Sequence, residues 1–245
     1  MTAGHGHRAG PGRPRRRPPS PPGADRAPTS GPPAGGSRHT PSRPWLYGPR
    51  TAAVEAARPR RPSGVPRLPQ AVLFDRDGTL VVDVPYNGDP ARVRPMPTAA
   101  DAVRAVRAHG VAVGVVSNQS GVARGLLTRR QVEAVQHRVD ELLGDFDVWA
   151  VCPHGPQDGC RCRKPAPGLV LAACRRLAVD PARTAVIGDI GADLAAARAA
   201  GARGILVPTP ATRPAETAAA EESARDLLAA VRLALGGRPP SGAAL

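Results

Sequence analysis

Residues 70–80 read QAVLFDRDGTL. Ala71 to Phe74 is an apolar run of strand length, and it stops abruptly at a carboxylate. A short apolar run bounded by polar residues and glycine reads as a buried strand running into a loop. Asp75 and Asp77 lie two residues apart just past the strand's end, and Gly78 frees the backbone to turn. The pattern recurs downstream. VAVGVVSNQS (111–120), FDVWAV (146–151), TAVIGD (184–189) and GILV (204–207) each read as a buried strand, and the first three run on into polar residues. Helical patterns separate them. Thr98 is expected to cap a helix to His109. Thr128 with Gln131 forms a capping box ahead of Val132, Val135, Val139 and Leu142. Pro167 opens a helix to Leu177, and further helices are expected over 192–200 and 219–235. Strands alternating with helices predict an α/β fold with a doubly wound parallel sheet. Such sheets bind ligands beyond the carboxyl ends of their strands. Four polar clusters fall there: Asp75/Asp77, Ser117-Asn118, a Cys/His loop after residue 151, and Asp189.

The rest of the chain differs in composition. Residues 1–69 carry 13 Arg against two acids, Asp25 and Glu55, and so hold most of the formal +14. They are rich in Pro, Gly and Ser and show no apolar periodicity. Residues 1–68 are therefore expected to be a disordered Arg/Pro-rich tail, residues 69–236 the folded domain and residues 237–245 a flexible end. Arg is enriched along the whole chain and the tail has few aromatics for base stacking, so nucleic acid is not expected as a partner. No run of about 18 apolar residues occurs and no secretory pattern is visible, so a cytoplasmic protein without a membrane span is expected.

Asp75 can attack phosphorus and form an acyl phosphate. A second carboxylate can protonate the leaving oxygen and then activate water. Carboxylates this close repel one another, and a divalent cation relieves that repulsion while shielding an anionic substrate. Asp189 can complete such a cation site. Asp193 reads equally as a site acid or as a favourable acid in the first turn of a helix. The chain's one lysine among 34 Lys+Arg is Lys164, in CPHGPQDGCRCRKPAPG (152–168). A compact ammonium on a flexible stem suits a phosphoryl group where a planar guanidinium does not. The same loop holds three of the four cysteines and a histidine, Cys152, His154, Cys160 and Cys162, which is the Cys₃His donor set of a closed zinc site. A disulfide would leave one of the three unpaired. Cys174 sits in a helical pattern and reads as a small core residue.

With FDRDGTL, SNQSGVARG, the Cys/His loop and IGDIGAD in this order, the domain resembles the haloacid dehalogenase (HAD) superfamily of aspartate-nucleophile phosphatases. It is most similar to the heptose 1,7-bisphosphate 7-phosphatases, in a branch shared with the histidinol-phosphate phosphatases. The resemblance spans residues 69–235 and implies a Rossmann-like HAD fold without a large cap domain, acting as a monomer on a small phosphorylated sugar. It implies Asp75 as the nucleophile and Asp77 as general acid and then base. Mg²⁺ would be held by Asp75, Asp189 and the Asp77 carbonyl, and phosphoryl oxygens by Ser117 and Lys164. Asp83, Tyr86, Asn118, Gln119, Ser120 and Arg163 would face the rest of the substrate. Ile190 departs from the pattern, since relatives place Lys, Arg or Ser there.

Overall fold

The computed structural model describes residues 43–48 and 68–236. Six strands form one sheet: β1 (Trp45–Tyr47), β2 (Ala71–Phe74), β3 (Ala112–Asn118), β4 (Val148–Cys152), β5 (Thr184–Gly188) and β6 (Arg203–Leu206). Their spatial order is β1-β4-β3-β2-β5-β6. All neighbours pair in parallel except β1, which runs antiparallel to β4. The chain winds from β2 outward to β4, then crosses back to lay β5 on the other side of β2. The strand order therefore reverses at β2, and a crevice opens beyond its carboxyl end.

Successive residues of β2 point to opposite faces. Val72 and Phe74 enter a core with α1 (Ala99–Ala108), α2 (Arg129–Leu143) and α6 (Leu227–Leu235), whereas Ala71 and Leu73 enter one with α3 (Gly168–Leu177) and α4 (Gly191–Ala199). Both faces are covered, which is why the strands read as continuous apolar runs rather than alternating ones. Cys174 is buried in the second core, 3.5 Å from Thr184 Oγ1. The Thr128–Gln131 capping box is present, with the Thr128 Oγ1 accepting from Gln131 N at 3.2 Å.

Three expectations are corrected. Trp45–Tyr47 lies inside the stretch expected to be disordered, yet it forms β1 on the open edge of β4. Arg129 lies over both aromatic rings, 5.2 Å from Trp45 and 5.4 Å from Tyr47. The rest of that stretch up to residue 67, and residues 237–245, fall outside the described residues. The last helix is not continuous over 219–235. It is two helices, α5 (Pro214–Ala219) and α6, because the segment between them runs along the edge of β6. There Leu206 N donates to Glu222 O and Ala224 N to Leu206 O, while Arg203 pairs with Glu222. Thr98 precedes α1 in a left-handed conformation and makes no side-chain cap to it. Its hydroxyl instead accepts from Leu228 N, in the first turn of α6. No helix among the described residues is long and apolar enough to cross a membrane.

Candidate active site and metal centre

β2, β3 and β5 are in register up to Phe74, Val115 and Ile187, so the residues that follow them converge. Asp75 N donates to Ile187 O at 2.9 Å, which ties the first carboxylate to the end of β5. Lys164 enters from the loop after β4. Its Nζ is 2.8 Å from Asp75 Oδ1 and 2.6 Å from Asp193 Oδ1, and it donates to Val116 O at 2.8 Å. The ammonium is buried, and burial alone would lower its pKa. Asp193 and Asp75 outweigh that and raise it, so the charge persists. Burial pushes the Asp75 pKa up, against the pull of Lys164. Burial likewise pushes Asp189 up to about 6, with the Asp193 charge adding to it. Carboxyl oxygens of Asp75, Asp189 and Asp193 lie within 4.8 Å of one another. Three crowded carboxylates facing one ammonium leave an excess of negative charge, the chemistry of a divalent-cation site.

The Asp77 carboxyl has partners of its own. Arg76 binds it through two nitrogens, at 3.0 and 2.8 Å, and Gln119 Nε2 donates to it at 2.9 Å. Gln119 Nε2 also donates to the buried Ser117 Oγ at 2.8 Å, so one amide orients both groups. Asn118 exchanges two hydrogen bonds with the backbone of Lys164, each 3.1 Å, and fixes the lysine's origin. Asp83 lies on the exposed loop after β2, where partial burial and the charge of Asp77 raise its pKa. Tyr86 and Ser120 border that loop's contact with the β3–α2 connection: a Cβ on Gly121 would come within 2.8 Å of the Tyr86 ring. Arg163 Nη1 donates to His154 O at 3.3 Å. Ile190 N–H points to Asp193 Oδ2 at 3.3 Å, and its side chain brings no charge to the site.

The Cys/His loop closes on itself. His154 Nδ1 is 3.3 Å from Cys152 Sγ and 3.2 Å from Cys162 Sγ, and the three sulfur pairs are 3.3 to 3.7 Å apart. A tetrahedron with metal–sulfur bonds of ~2.3 Å has edges of ~3.8 Å, so the set could hold zinc. All four cysteines of the chain are free thiols. The proton shared with Cys162, and then burial, raise the Cys152 pKa. Three thiolates cannot coexist here without a cation.

Sequence reasoning left Asp193 undecided, and it missed Arg76 and Thr79. Asp193 is fully buried and is one of two acids on Lys164. The available signal was an acid among the small and apolar residues of Gly-Ala-Asp-Leu at the start of α4, but an acid in a first helical turn has an ordinary reading as well. Thr79 Oγ1 donates to Asp189 Oδ1 at 3.1 Å. Gly78 has φ of +76°, and a Cβ there would overlap the Asp189 carboxylate. Gly78→Ala is therefore expected to displace Asp189, costing about 1–3 kcal/mol of stability and reducing any stabilisation by added Mg²⁺, read by thermal melts with and without Mg²⁺. An unchanged melt and an unchanged response to Mg²⁺ would mean that the turn has room to spare. A groove of about 300 Å³ lined by Arg198, Arg203 and Glu221 holds none of these residues.

Comparison with known proteins agrees with this architecture. The HAD-hydrolase-like family model matches residues 161–233. A D-glycero-beta-D-manno-heptose-1,7-bisphosphate 7-phosphatase of Rhodopseudomonas palustris is 40% identical over 163 residues, which are 62% of this chain and 86% of that protein. Among solved structures, the D,D-heptose 1,7-bisphosphate phosphatase of B. bronchiseptica, complexed with magnesium and phosphate, is 30% identical with a TM-score of 0.61, covering 68% of this chain and 98% of that one. A HAD-like phosphatase from Mesorhizobium loti is 34% identical with a TM-score of 0.59, covering 82% and 98%. The chain belongs to the HAD-like phosphatases, in the family formed by these heptose-bisphosphate enzymes.

Proposed function

We propose that this phosphatase removes the 7-phosphate of D-glycero-D-manno-heptose 1,7-bisphosphate through an aspartyl phosphate on Asp75. The observation that carries the chemistry is Lys164 Nζ, buried between Asp75 at 2.8 Å and Asp193 at 2.6 Å at the carboxyl end of β2. The sugar comes from the relatives' activity. A carboxylate oxygen of Asp75 attacks phosphorus while the bond to the sugar oxygen breaks, and the Asp77 carboxyl gives its proton to that oxygen. Asp77 then takes a proton from water as the water attacks the phosphorus. Inorganic phosphate leaves and Asp75 is restored. Ser117 Oγ and Lys164 Nζ hold the equatorial oxygens, which carry the charge that must be stabilised.

Asp75, Asp189 and the Asp77 carbonyl would hold Mg²⁺, whose charge neutralises both the acid cluster and the phosphoryl group. Cys152, His154, Cys160 and Cys162 would hold Zn²⁺, with a purely structural role two residues from Lys164. Thiol ligands suit a reducing, cytoplasmic setting. Asp83, Tyr86, Asn118, Gln119, Ser120 and Arg163 would face the rest of the sugar. The deciding experiment measures phosphate release with Mg²⁺ from heptose 1,7-bisphosphate and from histidinol phosphate. A kcat/KM at least about 100-fold higher for the bisphosphate is expected, since a site built to hydrogen-bond its substrate can reject an analogue lacking those groups by up to about 10⁴–10⁵. Preference for histidinol phosphate would move the chain to the sister activity.

A further inference from the structure

A substrate with two phosphates needs two sites of positive charge, and the cluster at Asp75 serves only the one that reacts. The cations around the crevice differ in how far they are already committed. Lys164 is buried on two carboxylates. Arg76 is 2% exposed and locked onto Asp77. Arg213 sits 3.5 Å from Glu216. Position 190, beside Asp189, holds isoleucine. Arg163 is half-buried and spends Nη1 on His154 O. Arg124 is less committed. It is exposed, and among the described ion pairs none involves it. Its guanidinium carbon lies 5.3 Å from the centre of the Tyr86 ring, and its Nη1 donates to the Tyr86 hydroxyl.

The backbone fixes where this pair stands. Arg124 N donates to Ser120 O at 3.2 Å, and Ala123 N donates to Pro153 O at 3.1 Å, against the start of the Cys/His loop. Tyr86 comes from the loop after β2, has a left-handed φ of 50°, and rests on Gly121. That conformation is uncommon for an aromatic residue and persists only where the surroundings hold it. Three loops thus meet at this segment, and the Tyr86 loop meets the guanidinium itself. A ring face and a hydroxyl orient it, while most of its five N–H donors stay free.

We propose that Arg124 grips the second, non-reacting phosphate of the substrate, and that Tyr86 is the positioning residue that holds the guanidinium ready for it. The inference rests on the bisphosphate reading above. A planar guanidinium can take two phosphate oxygens at once, and a pre-oriented one loses less entropy in doing so.

The test compares heptose 1,7-bisphosphate with heptose 7-phosphate, the same sugar without its 1-phosphate, on the full chain and on Arg124→Ala, Arg124→Lys and Tyr86→Leu. Arg124→Ala should lower kcat/KM for the bisphosphate by about tenfold to a hundredfold, the scale of a charge-assisted pair, and mainly through KM. For the 7-phosphate the change should stay within about twofold, since no contact to it is lost. Arg124→Lys should recover part of the loss, keeping charge but not the fork, and Tyr86→Leu should fall between wild type and Arg124→Ala. Equal losses on both substrates, or none on either, would overturn the role of Arg124 while leaving the bisphosphate reading standing. A wild-type protein that does not distinguish the two substrates would overturn both.

Discussion

Asp75→Asn is expected to abolish phosphate release while leaving the fold and its melting temperature nearly unchanged. Asparagine keeps the shape of the side chain but cannot act as the attacking carboxylate, so kcat should fall by at least about 10³-fold, as for other residues that act as a catalytic unit. The structural side follows from the electrostatics. Asp75 is buried, and that burial raises its pKa, so its charged form is held at a cost in the metal-free protein. Removing the charge relieves the crowding with Asp189 and Asp193. Lys164 is not stranded, because Asp193 Oδ1 stays 2.6 Å away and Val116 O still accepts from it. Removal of a partner from a buried pair is usually costly, but here a second carboxylate remains. Phosphate release and a thermal melt on the same preparation separate the two effects. Turnover near wild type would remove Asp75 from the nucleophile's role. Loss of both turnover and cooperative melting would show that its contribution is structural.

The strands and their polar ends were legible because a sheet covered on both faces demands apolar runs, and because a parallel sheet gathers its functional groups at one edge. Asp75, Ser117 and Asp189 therefore stood out by position, and Lys164 as the chain's one lysine. Asp77 did too, although its contact with Arg76 and Gln119 did not. What was missed depends on tertiary partners. Residues 220–226 look helical by composition, yet backbone bonds to Leu206 and the Arg203–Glu222 pair hold them extended. Local propensity is a weak prior and the sheet edge wins. β1 was hidden by its Arg/Pro-rich surroundings. The signal was there all the same: Trp45 and Tyr47 are half of the chain's two Trp and two Tyr, concentrated in three residues. They pack against Val122, Leu127, Val132 and Val151. Thr98 could not have been assigned from sequence, because its partner, Leu228, is 130 residues away.

If the Cys/His loop holds zinc as proposed, stripping it is expected to cost activity as well as stability, although its ligands take no part in the proposed chemistry. Structural zinc contributes apparent binding free energies of ~10–16 kcal/mol, which rivals the whole stability of a domain. The loop's two ends are anchored differently from its middle. Cys152 closes β4 inside the core and Leu169 is buried in α3, whereas Gln157, Asp158 and Gly159 are exposed. Without zinc the middle should open first, which limits the global loss. A deficit of ~4 kcal/mol would still lower Tm by ~8–16 °C for a domain of this size. Lys164 follows Cys162 by two residues, and its backbone is tied to Asn118. Opening the loop therefore loosens the ammonium from Asp75 and Asp193, and kcat should drop even at temperatures well below the melt. Elemental analysis of freshly reduced protein should find one zinc per chain, and Cys162→Ser should lose it. Zinc restored to chelated protein should recover both Tm and activity, which Mg²⁺ alone should not. Reduced protein that contains no zinc, and melts identically with and without chelator, would leave the four side chains as a packed cluster of thiols and imidazole. The position of Lys164 would then rest on Asn118 and the two carboxylates alone.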